Sequence, residues 1–151
     1  MSPAGNAGFT LLELLVVLVI IGLTAALIPG FTLRDRSGLD LARAAQDIAD
    51  GLRRTRSDAM LTNSERRFLL DVEARQFRAS NARAPRQIGP AIALAFRTAR
   101  SEQFAETGGA IRFFPDGSAT GGVIALSEGR ERRLIEVDWL TGMIEETDGG
   151  R

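Results

Sequence analysis

The sequence predicts an α+β protein: a long N-terminal helix, apolar at first and amphipathic later, followed by a small globular domain of antiparallel β-sheets. Three observations carry this. From Phe9 to Ile28, twenty residues hold a single charge, Glu13. From Leu39, apolar residues recur every three or four positions, the period of one helix face. From Phe68 the period drops to two, and Gly, Pro and Asp punctuate the strands at turn positions.

Composition sets limits. A chain of 151 residues fits one modest domain, and setting aside the first apolar segment leaves about 120 residues for a core. Basic and acidic residues balance, 19 against 19, so no gross field draws nucleic acid or anionic lipid. All the basic residues are Arg. Cys, His and Tyr are absent as well as Lys. That excludes disulfides, thiolate or imidazole metal sites, and Cys–His, Ser–His or Ser–Lys nucleophiles. An enzyme would have to run on carboxylates, and these mostly adjoin Arg, as in Arg34-Asp35-Arg36 and Arg130-Glu131-Arg132. They read as solvated surface charge, so no catalytic residue, metal or cofactor is assigned.

Residues 9–28 read as a transmembrane helix. Twenty residues at about 1.5 Å each span roughly 30 Å, the thickness of a bilayer core. The run Leu14 to Ile21 is apolar all round and offers no polar face. Glu13 stands against this background. A deep carboxylate costs roughly 2.5–3.5 kcal/mol, and the helix dipole returns only about 0.3–1 kcal/mol near the N-terminus. The remainder calls for a partner cation, and the segment itself holds no basic side chain. Two blander readings are a membrane anchor with Glu13 snorkelling to the interface and a cleaved secretory signal, which the length and the internal Glu13 disfavour.

Pro29-Gly30 should kink or break the helix, making residues 29–38 a kink or linker. Ser37-Gly38-Leu39-Asp40 has the form of a capping box, and a second helix is expected over 39–61. Its stripe is Leu41, Ala45, Ile48, Leu52, Thr55 and Ala59, with Gly51 weakening it by up to about 1 kcal/mol and Thr62-Asn63-Ser64 ending it. A β-rich region is expected over 66–145. Phe68, Leu70 and Val72 form a strand and Phe77 and Ala79 begin the return. Residues 80–90 are a loop, and Ile92, Leu94 and Phe96 alternate as a third strand. Residues 98–109 read as an exposed or mobile loop. Ile111 to Phe114 is a strand closed by the turn Pro115-Asp116-Gly117-Ser118. Val123 to Leu126 pairs back, Leu134, Ile135 and Val137 follow, and Met143-Ile144 adds a last short piece before residues 145–151 fray. The 115–118 turn lacks both a helix N-terminus for phosphate and the oxygen ligands for Ca²⁺, so it reads as a structural hairpin. Trp139 reads as a core or half-buried anchor, the alternative being an exposed interface contact.

Gly8-Phe9-Thr10-Leu11-Leu12-Glu13 ahead of an apolar helix resembles the signal of type IV pilins and type II secretion pseudopilins. The resemblance implies a leader, residues 1–8, removed by prepilin peptidase between Gly8 and Phe9, with N-methylation of Phe9. It also implies that Glu13 meets the N-terminal amine of a neighbouring subunit during assembly, which supplies the missing cation. The segment Met1 to Gly8 departs from the family in holding no Lys or Arg, so orientation rests on the resemblance more than on charge.

Phe113-Phe114-Pro115-Asp116-Gly117-Ser118, Asp138-Trp139-Leu140-Thr141-Gly142, Arg56-Ser57-Asp58-Ala59 and Asn63 together resemble the GspH/FimT family, which includes minor pseudopilins of the type II secretion system. This implies a pilin-like fold with a periplasmic globular domain over 39–151, and a single-pass inner-membrane protein. The function implied is assembly, through the N-terminal helix, into a periplasmic filament that drives protein export. The partners implied are the major pseudopilin, other minor pseudopilins and prepilin peptidase. A FimT-like minor pilin of a type IV pilus is the alternative. Its DNA-binding form would want a basic tail, whereas Glu145-Glu146-Thr147-Asp148 is acidic, and no nucleic-acid partner is expected. A single-pass enzyme is the rival from another class.

Overall fold

The computed structural model describes residues 11–27, 34–105 and 108–149. The chain divides into two compact units, one ending at Arg36 and one beginning at Ser37. Helix α1, Leu11–Leu27, lies in the first. Its 17 residues extend about 25 Å. Among the described residues no helix is long and apolar enough to cross a membrane. The Pro29-Gly30 kink falls outside the described residues.

Helix α2 runs over Arg34–Thr62, so Ser37 lies inside it and does not cap it. The expected linker and capping box are corrected here for residues 34–38. Ser and Gly inside a helix cost only about 0.5–1 kcal/mol, and extending an existing helix avoids a second nucleus. The C-terminal end is where the sequence put it. Asn63 takes the left-handed conformation, φ 47, and the Ser64 N–H donates back to the Ala59 carbonyl at 3.2 Å, a glycine-like stop that Asn tolerates.

The strands that follow form two antiparallel sheets. The first takes β1 (Arg66–Asp71), β2 (Gln76–Arg78), β3 (Arg86–Gln87), β5 (Gln103–Ala105) and β6 (Gly108–Phe113) in the order β3-β2-β1-β6-β5. The second takes β4 (Ala93–Thr98), β7 (Gly122–Glu128), β8 (Glu131–Val137) and β9 (Ile144–Asp148) in the order β4-β7-β8-β9.

The helical stripe is the spine of the core. Leu41, Ala45, Ile48, Leu52, Thr55 and Ala59 are all fully buried, with Phe68, Leu70, Ile111, Phe113, Ile124, Leu126 and Ile135 packed around them. Of the two candidates on β8, Ile135 faces the core and Leu134 is half-buried; Leu94 and Phe96 are partly buried. Gly51 has a packing reason. A Cβ there would sit 2.9 Å from Phe68 Cε2, so glycine lets the helix approach the ring, which itself stacks on Phe77 at 5.6 Å. The Thr55 hydroxyl is satisfied twice, donating to the Gly51 carbonyl at 2.8 Å and accepting from the Ser80 N–H at 3.3 Å.

Three stretches differ from the sequence reading. The expected loop 80–90 contains the short strand β3, Arg86–Gln87, which pairs with β2. The expected loop 98–109 contains a 3-10 turn, Arg100–Glu102, and strand β5. Glu102 is buried, anchored by Arg112 at 2.7 Å with Arg67 at 3.9 Å. The hydrogen bond to Glu102 raises the Arg112 guanidinium above its usual value. Residues 145–148 do not fray: β9 pairs with β8 from Val137↔Ile144 to Arg133↔Asp148. Two of its acids are held by Arg133, which reaches Glu146 at 3.9 Å and also meets Asp148.

Candidate functional site

Helix α1 is the first part of the site. Every residue over 11–24 is exposed, and all are apolar or glycine except Glu13, in the first turn, and Thr24. The Thr24 hydroxyl is satisfied within the helix, donating at 2.9 Å to the carbonyls of Ile20 and Ile21. The outer surface is therefore apolar apart from one carboxylate, as a helix must be if other apolar groups are to surround it. Gly8 and Phe9, the expected cleavage pair, lie outside the described residues.

The second part lies in the globular unit, where the dispersed motif residues meet. The 115–118 turn is built by its own atoms. Gly117 takes φ 87, which Gly alone adopts freely. The Asp116 carboxylate accepts from the Ser118 N–H at 2.9 Å and hydroxyl at 2.6 Å. These bonds, the hydroxyl first, hold Asp116 below its ordinary carboxylate value. The 138–142 turn repeats the device. Asp138 accepts from the Thr141 N–H at 2.7 Å, the Thr141 hydroxyl at 2.8 Å and the Leu140 N–H at 3.1 Å, and the Thr141 bonds lower its pKa.

Arg56, on α2, joins the two turns. Its Nε donates to the Gly117 carbonyl at 3.0 Å and its Nη2 to the Thr141 carbonyl at 2.9 Å. The fit leaves no room: a Cβ on Gly142 would lie 2.1 Å from the Gly117 oxygen. Nearby, Asp58 accepts from the Ser80 hydroxyl at 2.7 Å and pairs with Arg66 at 3.0 Å. The sequence reading brought Arg56, Asp58, the 115–118 turn and the 138–142 turn together only through a family resemblance; the arginine latch is the physical reason they go together. Its span, 61 and 85 residues, leaves no local signal.

This assembly corrects the placement of Trp139. It is not a core anchor but 65% exposed, alongside Leu140 at 64% and Met143 at 53%. The turn points the ring away from the core, while its backbone carbonyl accepts from the Ala119 N–H at 2.9 Å. Trp139 forms one wall of an open cleft of about 360 Å³, with Arg97, Thr98 and Ala99 opposite and Gly121, Gly122 and Val123 between. Among the described residues no three acidic side chains are grouped to hold a metal ion. The carboxylates of Asp116 and Asp138 are occupied in their own turns.

Comparison with known proteins follows the same division. Residues 3–29 match the prokaryotic N-terminal methylation motif, and residues 44–141 match the type II transport protein GspH family. The chain is 35% identical over 137 residues to type II secretion system protein H of Xanthomonas campestris pv. campestris, covering 91% of this chain and 80% of that one. The fold matches the minor pseudopilin EpsH from the type 2 secretion system of Vibrio cholerae with a TM-score of 0.59 at 13% identity, covering 74% of this chain and 99% of that one. It also matches the type IV minor pilin FimU of Pseudomonas aeruginosa with a TM-score of 0.51 at 15% identity, covering 78% and 92%.

Proposed function

The chain belongs to the GspH family of type II transport proteins, and from that premise we propose that it works as a minor pseudopilin, a structural subunit without catalysis. The observation that carries the proposal is the coincidence of the methylation motif with α1, whose residues 11–24 are exposed and apolar on all sides but for Glu13 and Thr24. Such a surface is stable only inside a membrane or among similar helices. In this reading residues 9–28 are stored in the inner membrane, with the globular unit in the periplasm. Prepilin peptidase frees Phe9, and Glu13 pairs with the new amine of a neighbouring subunit as helices pack into the filament. The amine also lies four residues from Glu13 in its own helix, so the neighbour wins that competition only when packing brings helices together. The other partners are the major pseudopilin and other minor pseudopilins, and Trp139, pinned by its turn, is a contact for one of them. The identity to a type II secretion protein favours export over the FimT-like role in a type IV pilus.

Mass spectrometry of the protein extracted from membranes of a peptidase-positive host tests the reading. The expected species begins at N-methylated Phe9. An intact Met1 terminus, or a cut beyond Ile28, overturns it.

A further inference from the structure

The outer face of the second sheet carries a charge pattern that continues from the Trp139 cleft, whose lining includes Arg97, Val123 and Glu136. Register fixes which side chains share that face. Arg97 on β4, Val123 on β7 and Glu136 on β8 lie in one row, and Ala95, Ala125 and Leu134 in the next. The opposite face holds the buried Ile124, Leu126, Ile135 and Val137, so these two rows face outward. Arg97, Glu136 and Ala95 are exposed and the other three half-buried. Strand β7 lies between Arg97 and Glu136, and the two inter-strand spacings set them about 10 Å apart, too far to pair. Among the described residues neither makes an ion pair. Glu136 instead lies opposite Glu145 of β9, an unfavourable like-charge placement that an incoming cation relieves.

We propose that this face packs against the same face of a second copy of the chain, about a two-fold axis running along β7. The charges specify that operation. Rotation about β7 lays β4 of one copy over β8 of the other at the same level. Arg97 then meets Glu136 of the second copy, and the reciprocal pair closes the other side. Ala95, small, falls opposite Leu134, large. Val123 and Ala125 fall on the axis opposite themselves. A two-fold contact requires self-complementarity of this kind, and aligned sheets pack face to face at about 10 Å with strands within about 30°. Same-face rows lie two residues apart, and a slide by one row toward Leu134 would take Arg97 off Glu136 and oppose it to that apolar side chain, so the charges disfavour the slipped register.

The chain has no cysteine, which makes the test specific to this face rather than to α1. In the full-length chain in detergent micelles, Val123→Cys should be linked into a dimer by a short bis-maleimide, because two Cα atoms about 10 Å apart lie beyond the reach of a direct disulfide. Met60→Cys, at an exposed α2 position, should not. Adding Arg97→Glu should lower the dimer yield about tenfold, and Arg97→Glu with Glu136→Arg should restore it. Circular dichroism of each variant confirms folding, and the exposed sites leave the core untouched. No dimer from folded Val123→Cys, equal dimer from Met60→Cys, or no recovery in the double charge swap overturns the proposal. So does a Val123→Cys crosslink formed only with another pseudopilin in the co-expressed set.

Discussion

Replacing Arg56 by Met keeps the packed stem and removes only the guanidinium. The structure sets the size of the loss. The Gly117 carbonyl lies at a buried residue and would lose a charged donor at 3.0 Å, worth about 1.5–3 kcal/mol. Thr141 is exposed, so water can replace the 2.9 Å bond to its carbonyl, and that loss is about 0.5–1.5 kcal/mol. The total is about 2–4.5 kcal/mol. At roughly 4 °C per kcal/mol for a unit of this size, the melting temperature should fall by about 8–18 °C. Far-UV circular dichroism follows the global transition. Trp139, the single tryptophan of the chain, reports on the turn itself, and its fluorescence anisotropy should fall at temperatures where the helix signal is unchanged. Arg56→Lys should recover only part of the loss, because one ammonium cannot match the two-donor fork. A fall below about 2 °C, with unchanged Trp139 anisotropy, would show that the turns hold themselves without the latch.

Gly142→Ala should be more damaging still: φ is 63 and the new Cβ would lie 2.1 Å from the Gly117 oxygen, so a loss above about 3 kcal/mol is expected, read as faster proteolysis of the folded chain. Asp138 supplies a pH test. Its folded pKa lies below the ordinary 3.8, so its contribution is complete above the ordinary value and is lost as pH falls through the lowered one. Trp139 emission should therefore hold steady from neutral pH to about pH 4 and change only below that. Asp138→Asn should remove the acid step, and a transition at pH 5 to 6 would count against this account. Glu13→Ala should still be cleaved and stay in the membrane, yet crosslink poorly to other pseudopilins and secrete less. Normal crosslinking and secretion would remove Glu13 from the assembly contact.

The α2 stripe was legible because period and burial have one cause: each of its six residues sits on the arc that the sheets cover. The 115–118 turn was legible because Pro and Gly encode its backbone directly. Strand β9 was not, because Glu145, Glu146 and Asp148 look like a solvated tail until the β8 pairing brings Arg133 beside Glu146 and Asp148. Glu102 was hidden for the same reason, its cations lying ten and thirty-five positions away on β6 and β1. Trp139 misled because a lone aromatic is most often core, and only the turn geometry turns it outward.

The arginine latch also sets a clock on biosynthesis. Arg56 and Thr141 are 85 residues apart, and at roughly 5–20 residues per second a ribosome needs roughly 4–17 s to make the second after the first. Over that interval α2 can already be formed, while the surface bearing Trp139 does not yet exist. A nascent subunit cannot present that surface to a neighbour before nearly the whole chain has emerged. The order of synthesis thus separates subunits still being made from those ready to join a filament.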